Sequence, residues 1–297
     1  MLRRTCCLCT VGQVVHTLPE GEPVWGVTSL ADEVYVLRRK ERDQVEVYDV
    51  VNYRLQRCLT VPNIRGLTDM TSCEHYRCVY IADPSGECIH RLDVQGAVTR
   101  WAMNGQPWGI SVNAAHNVLV TCRFFRKIKE FSSYGDLLRE LTLPDDVIHP
   151  LHAIQTMDIC IIMLYLGVHV QTRNGEYIVA HGCRNDAVHR VCKISADGRH
   201  VIKSHGGQRG SDIGQYSVPV HLAVDNNEFV FVADCDNRRV TLLSPTLDYI
   251  REVVSPDDLK VGPYGLCLDI RRRRLYVADS EYMDAGLTAG RVVVFSV

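Results

Sequence analysis

Three histidines of this sequence have the spacing of a candidate metal site. His152 and His221 each stand two residues after a proline that opens a repeated unit, and His181 ends an apolar segment between them. Three imidazoles with an open fourth position form the ligand set of a catalytic zinc site. If the repeat brings these positions together, with Asp234 nearby, they could hold zinc or a similar ion. The alternative is that the histidines line a water-filled channel mouth and form hydrogen bonds with water or the backbone.

A second group of residues has the composition of a binding surface. Three aromatic residues stand at matching positions in three units, and a loop of the third unit carries two phenylalanines between two arginines. Large aromatic side chains and arginines are typical hot spots of protein interfaces, and they also stack on bases of single-stranded RNA. The plainer interpretation is that the tryptophans only pack between units. The candidate partner-binding residues are Trp25, Trp108, Arg123, Phe124, Phe125, Arg126 and Tyr264.

Composition and charge argue against some classes of partner. The formal net charge of -2 gives no overall attraction to DNA or to acidic membranes. Basic runs at residues 38–40, 126–127 and 271–274 are expected on two different faces, and charge runs in turns are usually solvated. Basic residues that are divided between two faces weaken the case for one nucleic-acid-binding surface, and single-stranded RNA stays an alternative partner. No nucleophile motif or catalytic carboxylate pair accompanies the histidines, so a non-enzymatic role is favoured.

Six repeated units must position these residues. Each unit opens with a proline or arginine and continues with two apolar strands, the second often ending in Ala-Asp. A period near 40 residues with several short strands per unit is typical of a β-propeller. Thr10–Leu18 is one spare strand, which we expect to complete blade six and close the ring. The units open at Pro23, Arg65, Pro107, Pro150, Pro219 and Pro263.

Aligning the units defines one position per blade at the mouth of a central channel. Glycine is frequent there because a residue without Cβ lets the converging strands approach closely. The aspartate of Ala-Asp is expected to tie down nearby backbone amides, and His181 replaces it in unit four. The aligned mouth positions are Gly26, Gly66, Gly109, His152, His221 and Gly265.

The clearest phrases lie in unit five, at Pro219–Asp225, Phe229–Asp234 and Asn237–Leu243. They resemble the NHL repeat, whose pattern runs Pro-x-Gly-Leu-Ala-Val-Asp, then Tyr-Val-Ala-Asp, then Asn-His-Arg-Val. The resemblance implies an all-β fold, a single six-bladed NHL-type β-propeller over residues 1–297. It also implies recognition of protein partners, as in the propellers of tripartite-motif ubiquitin ligases. No RING, B-box or coiled coil precedes the repeats in this sequence, so ligase activity is not implied.

The histidines keep an enzymatic alternative open. Some lyases and hydrolases with propeller folds hold a metal at the channel mouth. A metal-dependent lyase or lactonase-like hydrolase is therefore the alternative to a binding module that has no cofactor.

Unit four is longer than the others, and residues 157–172 account for the excess. This hydrophobic stretch lies between the first two strands of the unit and is too short to span a bilayer. Ile154-Gln155-Thr156 before the stretch is echoed by Val170-Gln171-Thr172 at its end, and removing the stretch restores the repeat spacing. We therefore predict an insertion in blade four, either a genuine one or a retained segment of the transcript.

The thirteen cysteines are odd in number and scattered, which does not fit a disulfide framework. The N-terminal residues lack the pattern of a secretory signal. We therefore expect reduced thiols and a cytoplasmic location. Cys6 and Cys9 form one Cys-x-x-Cys pair without the second pair of a zinc finger.

Overall fold

Apolar residues on both faces mark the middle strands of each sheet. Every residue of β7 (Cys78–Asp83) and β21 (Val230–Asp234) is buried. The outermost strand β9 (Val98–Ala102) is only partly buried. A continuous buried run of this length indicates a strand that is covered on both sides. The sheets therefore stack face to face, as propeller blades do.

The computed structural model contains six four-stranded antiparallel sheets. It describes residues 12–38, 44–156, 175–280 and 289–297, and the backbone alone at 158–164 and 167–173. Within these ranges no helix is long and apolar enough to cross a membrane.

Each of the first three blades uses four consecutive strands, and a 3-10 turn at Arg123–Phe125 joins two strands of the third. The strands are β2 (Val24–Leu30), β3 (Glu33–Arg38), β4 (Gln44–Asp49), β5 (Leu55–Thr60), β6 (Asp69–Cys73), β7, β8 (Cys88–Asp93), β9, β10 (Gly109–Val112), β11 (Val118–Cys122), β12 (Lys127–Phe131) and β13 (Leu137–Thr142).

Blades four and five follow the same plan, and the last blade takes its outer strand from the start of the chain. Their strands are β14 (Pro150–Gln155), β17 (Tyr177–His181), β18 (Val188–Ile194), β19 (Val201–Gln208), β20 (Pro219–Val224), β21, β22 (Arg239–Leu243), β23 (Tyr249–Val254), β24 (Pro263–Asp269), β25 (Arg274–Asp279), β26 (Arg291–Ser296) and β1 (Gln13–Thr17).

The innermost strands of successive blades contact one another around a central channel. The contacts run from β2 through β6, β10, β14, β20 and β24 back to β2. β1 pairs antiparallel with β26, with Gln13 facing Ser296 and Thr17 facing Val293. The all-β, six-bladed architecture and its closure by the N-terminal strand are thus confirmed. Residues 10 and 11 of the predicted closing strand lie outside the described residues.

The extra segment of blade four forms a hairpin of its own. β15 (Asp158–Leu164) pairs antiparallel with β16 (Gly167–Arg173) in a separate two-stranded sheet. Before the hairpin, the amide of Thr156 donates a hydrogen bond of 2.8 Å to the carbonyl of Glu176. Blade four therefore completes its own sheet without the segment. Residue 157, where the predicted insertion begins, is outside the described residues.

A β-bulge at the start of the innermost strand recurs in four blades. The register between the first two strands shifts at Trp25, Leu151, Val220 and Tyr264. A bulge leaves one residue unpaired and re-aims its side chain. Leu151, Val220 and Tyr264 share one apolar cluster, against which Trp25 and Trp108 pack. Apolar side chains from five blades therefore gather at the channel mouth.

Candidate functional site

The strand register defines the residue that each blade places at the channel mouth. In blade two the sequence alignment put Gly66 there, but the register puts Asp69 there, facing Ala82. The thirteen residues that separate Asp69 from Ala82 equal the spacing of Gly265 and Ala278 in blade six. The six mouth residues are Gly26, Asp69, Gly109, His152, His221 and Gly265.

Asp69, His152 and His221 meet at this mouth, and we call them the channel cluster. The two imidazole rings stack with their centroids 3.9 Å apart. His221 Nε2 lies 3.3 Å from Asp69 Oδ1. His152 Nε2 lies 3.3 Å from the carbonyl of Ile110 and 3.6 Å from Asp69 Oδ2. All three side chains are buried, so water reaches the cluster poorly.

Hydrogen bonds fix the protonation of the channel cluster. Asp69 Oδ2 accepts the Ile110 amide at 2.8 Å. Because a carbonyl can only accept, His152 carries a proton on Nε2 when it bonds to Ile110. Burial, and then the nearby His221, lower the pKa of His152 to about 3, so this imidazole is neutral at pH 7. The Nδ1 atoms of both histidines lack a hydrogen-bond partner within the described ranges.

The channel cluster has the groups for metal binding or for proton transfer. One ligand atom from each side chain lies within 4.8 Å of the other two, and imidazole with carboxylate is a zinc ligand set. In the present hydrogen-bonding pattern both Nε2 atoms are engaged, so an ion would have to displace these bonds. A cavity of about 260 Å³ along the channel is lined in part by both histidines.

His181, the third histidine of the predicted metal site, lies apart from the channel cluster. Its Nε2 accepts a hydrogen bond of 2.9 Å from Arg190 Nε, and Cys192 Sγ lies 3.5 Å from the same nitrogen. The lone pair that would bind a metal is therefore occupied. The structure brings His152 and His221 together, and Asp69 takes the place that was predicted for His181.

One face of the ring carries the channel mouth, the segments that enter the innermost strands, and the loops after the second strands. We call it the entry face. Trp25 and Tyr264 lie there in edge-to-face contact, with ring centroids 5.4 Å apart. Tyr264 is buried, and Trp25 and Trp108 are partly buried against the same apolar cluster. These three aromatic residues mainly pack the mouth of the channel.

Phe124 and Phe125 project from the entry face on the 3-10 turn. Their side chains are 56% and 54% exposed. Arg126 ends the turn with a left-handed backbone, and its carbonyl accepts the Leu143 amide at 2.8 Å. Arg126 Nη1 also pairs with the exposed Asp145 at 2.6 Å. The two phenylalanines are therefore held on an anchored turn.

Arg123 lies beneath this turn, between two aromatic rings. Its guanidinium carbon is 4.5 Å from the centre of the Trp108 ring and 5.1 Å from that of Phe124. Cation–π contact of this kind holds a cation without a carboxylate. Arg123 Nε and Nη1 are buried and have no hydrogen-bond partner in the part of the chain that the structure describes. We call Trp108, Arg123, Phe124 and Phe125 the aromatic patch.

A second cavity, of about 390 Å³, opens on the entry face near blades five and six. Arg184 and Arg209, which line it, both pair with Asp236, at 3.2 and 2.9 Å. Their positive charges are therefore partly compensated, which weakens this cavity as a binding site for phosphates.

The fold is similar to those of several solved structures at low sequence identity. A streptogramin B lyase has a TM-score of 0.60 at 12% identity, with 92% of this chain and 87% of that chain covered. A catalytically inactive virginiamycin B lyase from Staphylococcus aureus, solved with quinupristin, has a TM-score of 0.60 at 10% identity, with 96% and 99% covered. Kuenenia stuttgartiensis hydrazine synthase has a TM-score of 0.58 at 13% identity, with 90% and 94% covered. Likeness at such identities shows the fold alone.

No protein-family model and no curated protein matches the sequence.

Proposed function

We propose that this propeller is a non-enzymatic binding module that recognises a protein partner through the aromatic patch. The observation that carries the proposal is the exposure of Phe124 and Phe125, side by side on an anchored turn. Aromatic side chains that are already held in place lose little conformational entropy on binding. Adjacent exposed aromatic residues of this kind usually mark an interaction site.

The chemistry of the patch indicates what the partner presents. Burying Phe124 and Phe125 requires an apolar or aromatic surface. The guanidinium carbon of Arg123 lies beneath the turn, 5.1 Å from the centre of the Phe124 ring, so its positive charge favours an acidic residue beside that apolar surface. We therefore expect a protein segment that combines large apolar side chains with an acidic residue.

The resemblance to the NHL repeat suggests a finer role. In tripartite-motif ubiquitin ligases the propeller chooses the partner, and we propose substrate recognition of this kind, in the cytoplasm, for the present chain. Arg184 and Arg209 in the 390 Å³ cavity both pair with Asp236, so their charges are poorly available to phosphates. This pairing favours a protein over RNA as the partner.

The test is comparative capture with matched variants. Phe124→Ser combined with Phe125→Ser removes the two anchors. Tyr134→Ser removes an aromatic side chain that is 77% exposed in the turn after β12, on the opposite face. We expect a partner that binds the wild type and Tyr134→Ser, and whose affinity for the double variant falls by at least about 30-fold, since hot-spot residues contribute about 2 kcal/mol or more.

Equal binding of purified partner by the double variant and the wild type would overturn the proposal. Capture of single-stranded RNA instead, with an affinity that falls steeply with salt, would favour the RNA-binding alternative, because phosphate contacts release counterions.

A second candidate function rests on the channel cluster. The two stacked histidines and Asp69 could hold zinc, and such an ion would activate water or polarise a substrate in the channel. Two structural neighbours are lyases, and we propose a metal-dependent lyase or hydrolase as the alternative. About one ion per chain, lost in a His152→Ala, His221→Ala double variant, would favour it, and a metal-free folded wild type would exclude it.

A further inference from the structure

Three groups of metal-ligating side chains occur among the described residues. Besides the channel cluster, these are Asp83, Cys88 and His90 in blade two, and His149, Cys183 and Asp186 on the entry face. They differ in access to solvent. The first two groups are buried throughout, whereas His149 and Asp186 are partly exposed. The entry-face group is therefore the most accessible of the three to an ion from solution.

The blade-two group is also saturated by bonds within the protein. The carboxylate of Asp83 accepts the amides of Arg65, Gly66 and Gly86 and contacts His90 Nε2. Residues Asp83, Cys88 and His90 are 0% exposed. This carboxylate has no lone pair left for an ion, so its role is to hold loops together.

The entry-face group is assembled from two segments of blade four. His149 immediately precedes β14, and Cys183 and Asp186 lie in the loop between β17 and β18. Both carboxylate oxygens of Asp186 face His149 Nδ1, at 3.0 and 2.9 Å. The amide of Cys183 donates to Asp186 Oδ2 at 2.6 Å, which fixes the carboxylate. One atom from each of the three side chains lies within 4.8 Å of the other two.

The charges around this group suit a cation. The carboxylate of Asp186 accepts the amide of Cys183 and faces His149 Nδ1 at 2.9 Å. A metal ion would take the place of the hydrogen that His149 shares with this carboxylate. The neighbouring Arg184 pairs with Asp236 instead.

We propose that His149, Cys183 and Asp186 form a zinc site on the entry face. Thiolate, imidazole and carboxylate together are borderline-soft ligands that suit Zn²⁺ and exclude Mg²⁺ and Ca²⁺. Zinc bonds of about 2.0–2.3 Å put ligand atoms about 3–4 Å apart, so small side-chain movements close the present spacing. Three protein ligands leave a fourth position open to water or to a side chain of a bound protein.

The position of the site links it to the aromatic patch. The ring of Phe124 contacts that of His149, with centroids 6.3 Å apart. Zinc bound by His149 would fix this imidazole beside Phe124. This inference does not depend on the proposed partner, because metal binding is measured on the protein alone.

The experiment is a titration of the metal-stripped full chain with Co²⁺, with Zn²⁺ as competitor. A thiolate bound to Co²⁺ gives a charge-transfer absorption, which reports cysteine ligation directly. We expect one equivalent of Co²⁺, displaced by Zn²⁺, and loss of the absorption in Cys183→Ser. His149→Gln, at a half-exposed position that does not threaten folding, should weaken binding by at least about tenfold. Cys88→Ser and Cys58→Ser, the latter at an exposed cysteine outside all three groups, should leave both signals unchanged.

Three results would overturn the site: a wild type that takes up no Co²⁺ with thiolate absorption, an absorption that persists in Cys183→Ser, or one that disappears in Cys88→Ser or Cys58→Ser. Thermal unfolding of each metal-free variant checks that it is folded. Should Cys183→Ser fail to fold, His149→Gln alone decides, since unchanged affinity in that variant also contradicts the proposal.

Discussion

A polar side chain ends the second strand in five of the six blades and bonds to the third strand of the same blade. The aspartates at this position also accept backbone amides of the segment that leads into their own blade, as Asp279 does for residues 260–262. In the three blades that carry an aspartate, the position therefore ties the blade to the preceding crossover. The pairs are Arg38 with Glu46, Asp83 with His90, His181 with Arg190, Asp234 with Arg239, and Asp279 with Arg291.

His181 should make the stability of the protein pH-dependent. Burial, and then Arg190, lower its pKa from the ordinary value of 6.5 to about 4. The unfolded chain therefore binds a proton between these pH values and the folded chain does not. Stability from this residue is complete above pH 6.5 and falls as the pH drops toward 4, by at most roughly 3 kcal/mol.

Urea unfolding of the wild type and of His181→Gln at pH 7 and pH 5 isolates this effect. The glutamine oxygen can still accept the Arg190 hydrogen bond but does not titrate. We expect the wild type to lose more stability than the variant between the two pH values. Equal losses in both proteins would show that His181 does not titrate as described.

The site could be predicted from the sequence only in part, for reasons visible at single residues. His152 and His221 follow a proline at a fixed spacing, so the repeat alone located them. Asp69 was missed because unit two was aligned from its first residue, Arg65. The residue at the channel mouth is instead defined by its partner on the second strand, and Ala82 pairs with Asp69. The role of His181 depends on Arg190, a bond between strands that the repeat pattern does not encode.

At the scale of elements, the innermost strands differ in how closely they approach. Gly109 and Gly265 occupy the same mouth position in two blades. A Cβ on Gly109 would overlap the carbonyl oxygen of Leu151 and stand 2.9 Å from the Cα of His152. A Cβ on Gly265 would meet its nearest neighbour, the Cβ of Ala278, at an ordinary 3.6 Å.

Gly109→Ala and Gly265→Ala should therefore behave differently despite their equivalent positions. In Gly109→Ala the clash is with backbone, which cannot move without separating β10 from β14, so we expect a loss of about 3 kcal/mol or more. In Gly265→Ala we expect a change within about 1 kcal/mol. Denaturant unfolding of both variants measures this, and similar losses in the two would contradict the strand spacing described.

The β15–β16 hairpin should be dispensable for blade four. Thr156 and Glu176 close the β14–β17 ladder as Asp225 and Phe229 close the β20–β21 ladder. Deleting residues 157–172 leaves three residues, 173–175, between Thr156 and Glu176, the same number as between Asp225 and Phe229. Three-residue loops are common in hairpins.

We expect the deletion variant to fold and to keep its melting temperature within about 4 °C, the shift that roughly 1 kcal/mol produces in a large domain. Differential scanning calorimetry and far-UV circular dichroism test this. An unfolded or aggregated product would mean that the hairpin supports blade four, and the insertion would then be an integral part of the fold.

At the scale of the whole molecule, the ring depends on contacts between residues far apart in sequence. Arg38 donates to the carbonyls of Pro19, Glu22 and Gly290 at 2.7–2.9 Å and pairs with Glu46. Its side chain is 2% exposed. The sequence groups Arg38 with a basic run that is expected on the surface. Its partner Gly290 is 252 residues away, which is why the sequence pattern predicted the blades and the closing strand but not the role of this buried arginine in holding the ring closed.

Removing residues 1–18 should open the ring at blade six. β26 would then expose unpaired backbone groups along Arg291–Ser296, and unpaired strand edges associate with one another. We expect the truncated chain to self-associate with increasing concentration, measured by light scattering after size-exclusion chromatography.

A rearranged chain tests whether loss of the strand, rather than of the N-terminal residues in general, is responsible. Because Gln13 faces Ser296, residues 12–18 can be moved behind Val297 through an inserted Asn-Gly, which forms a tight hairpin turn. The strand then covers the same edge from the other end of the chain. We expect this variant to be monomeric. A truncated chain that stays monomeric, or a rearranged chain that still associates, would show that pairing of β1 with β26 does not close the ring.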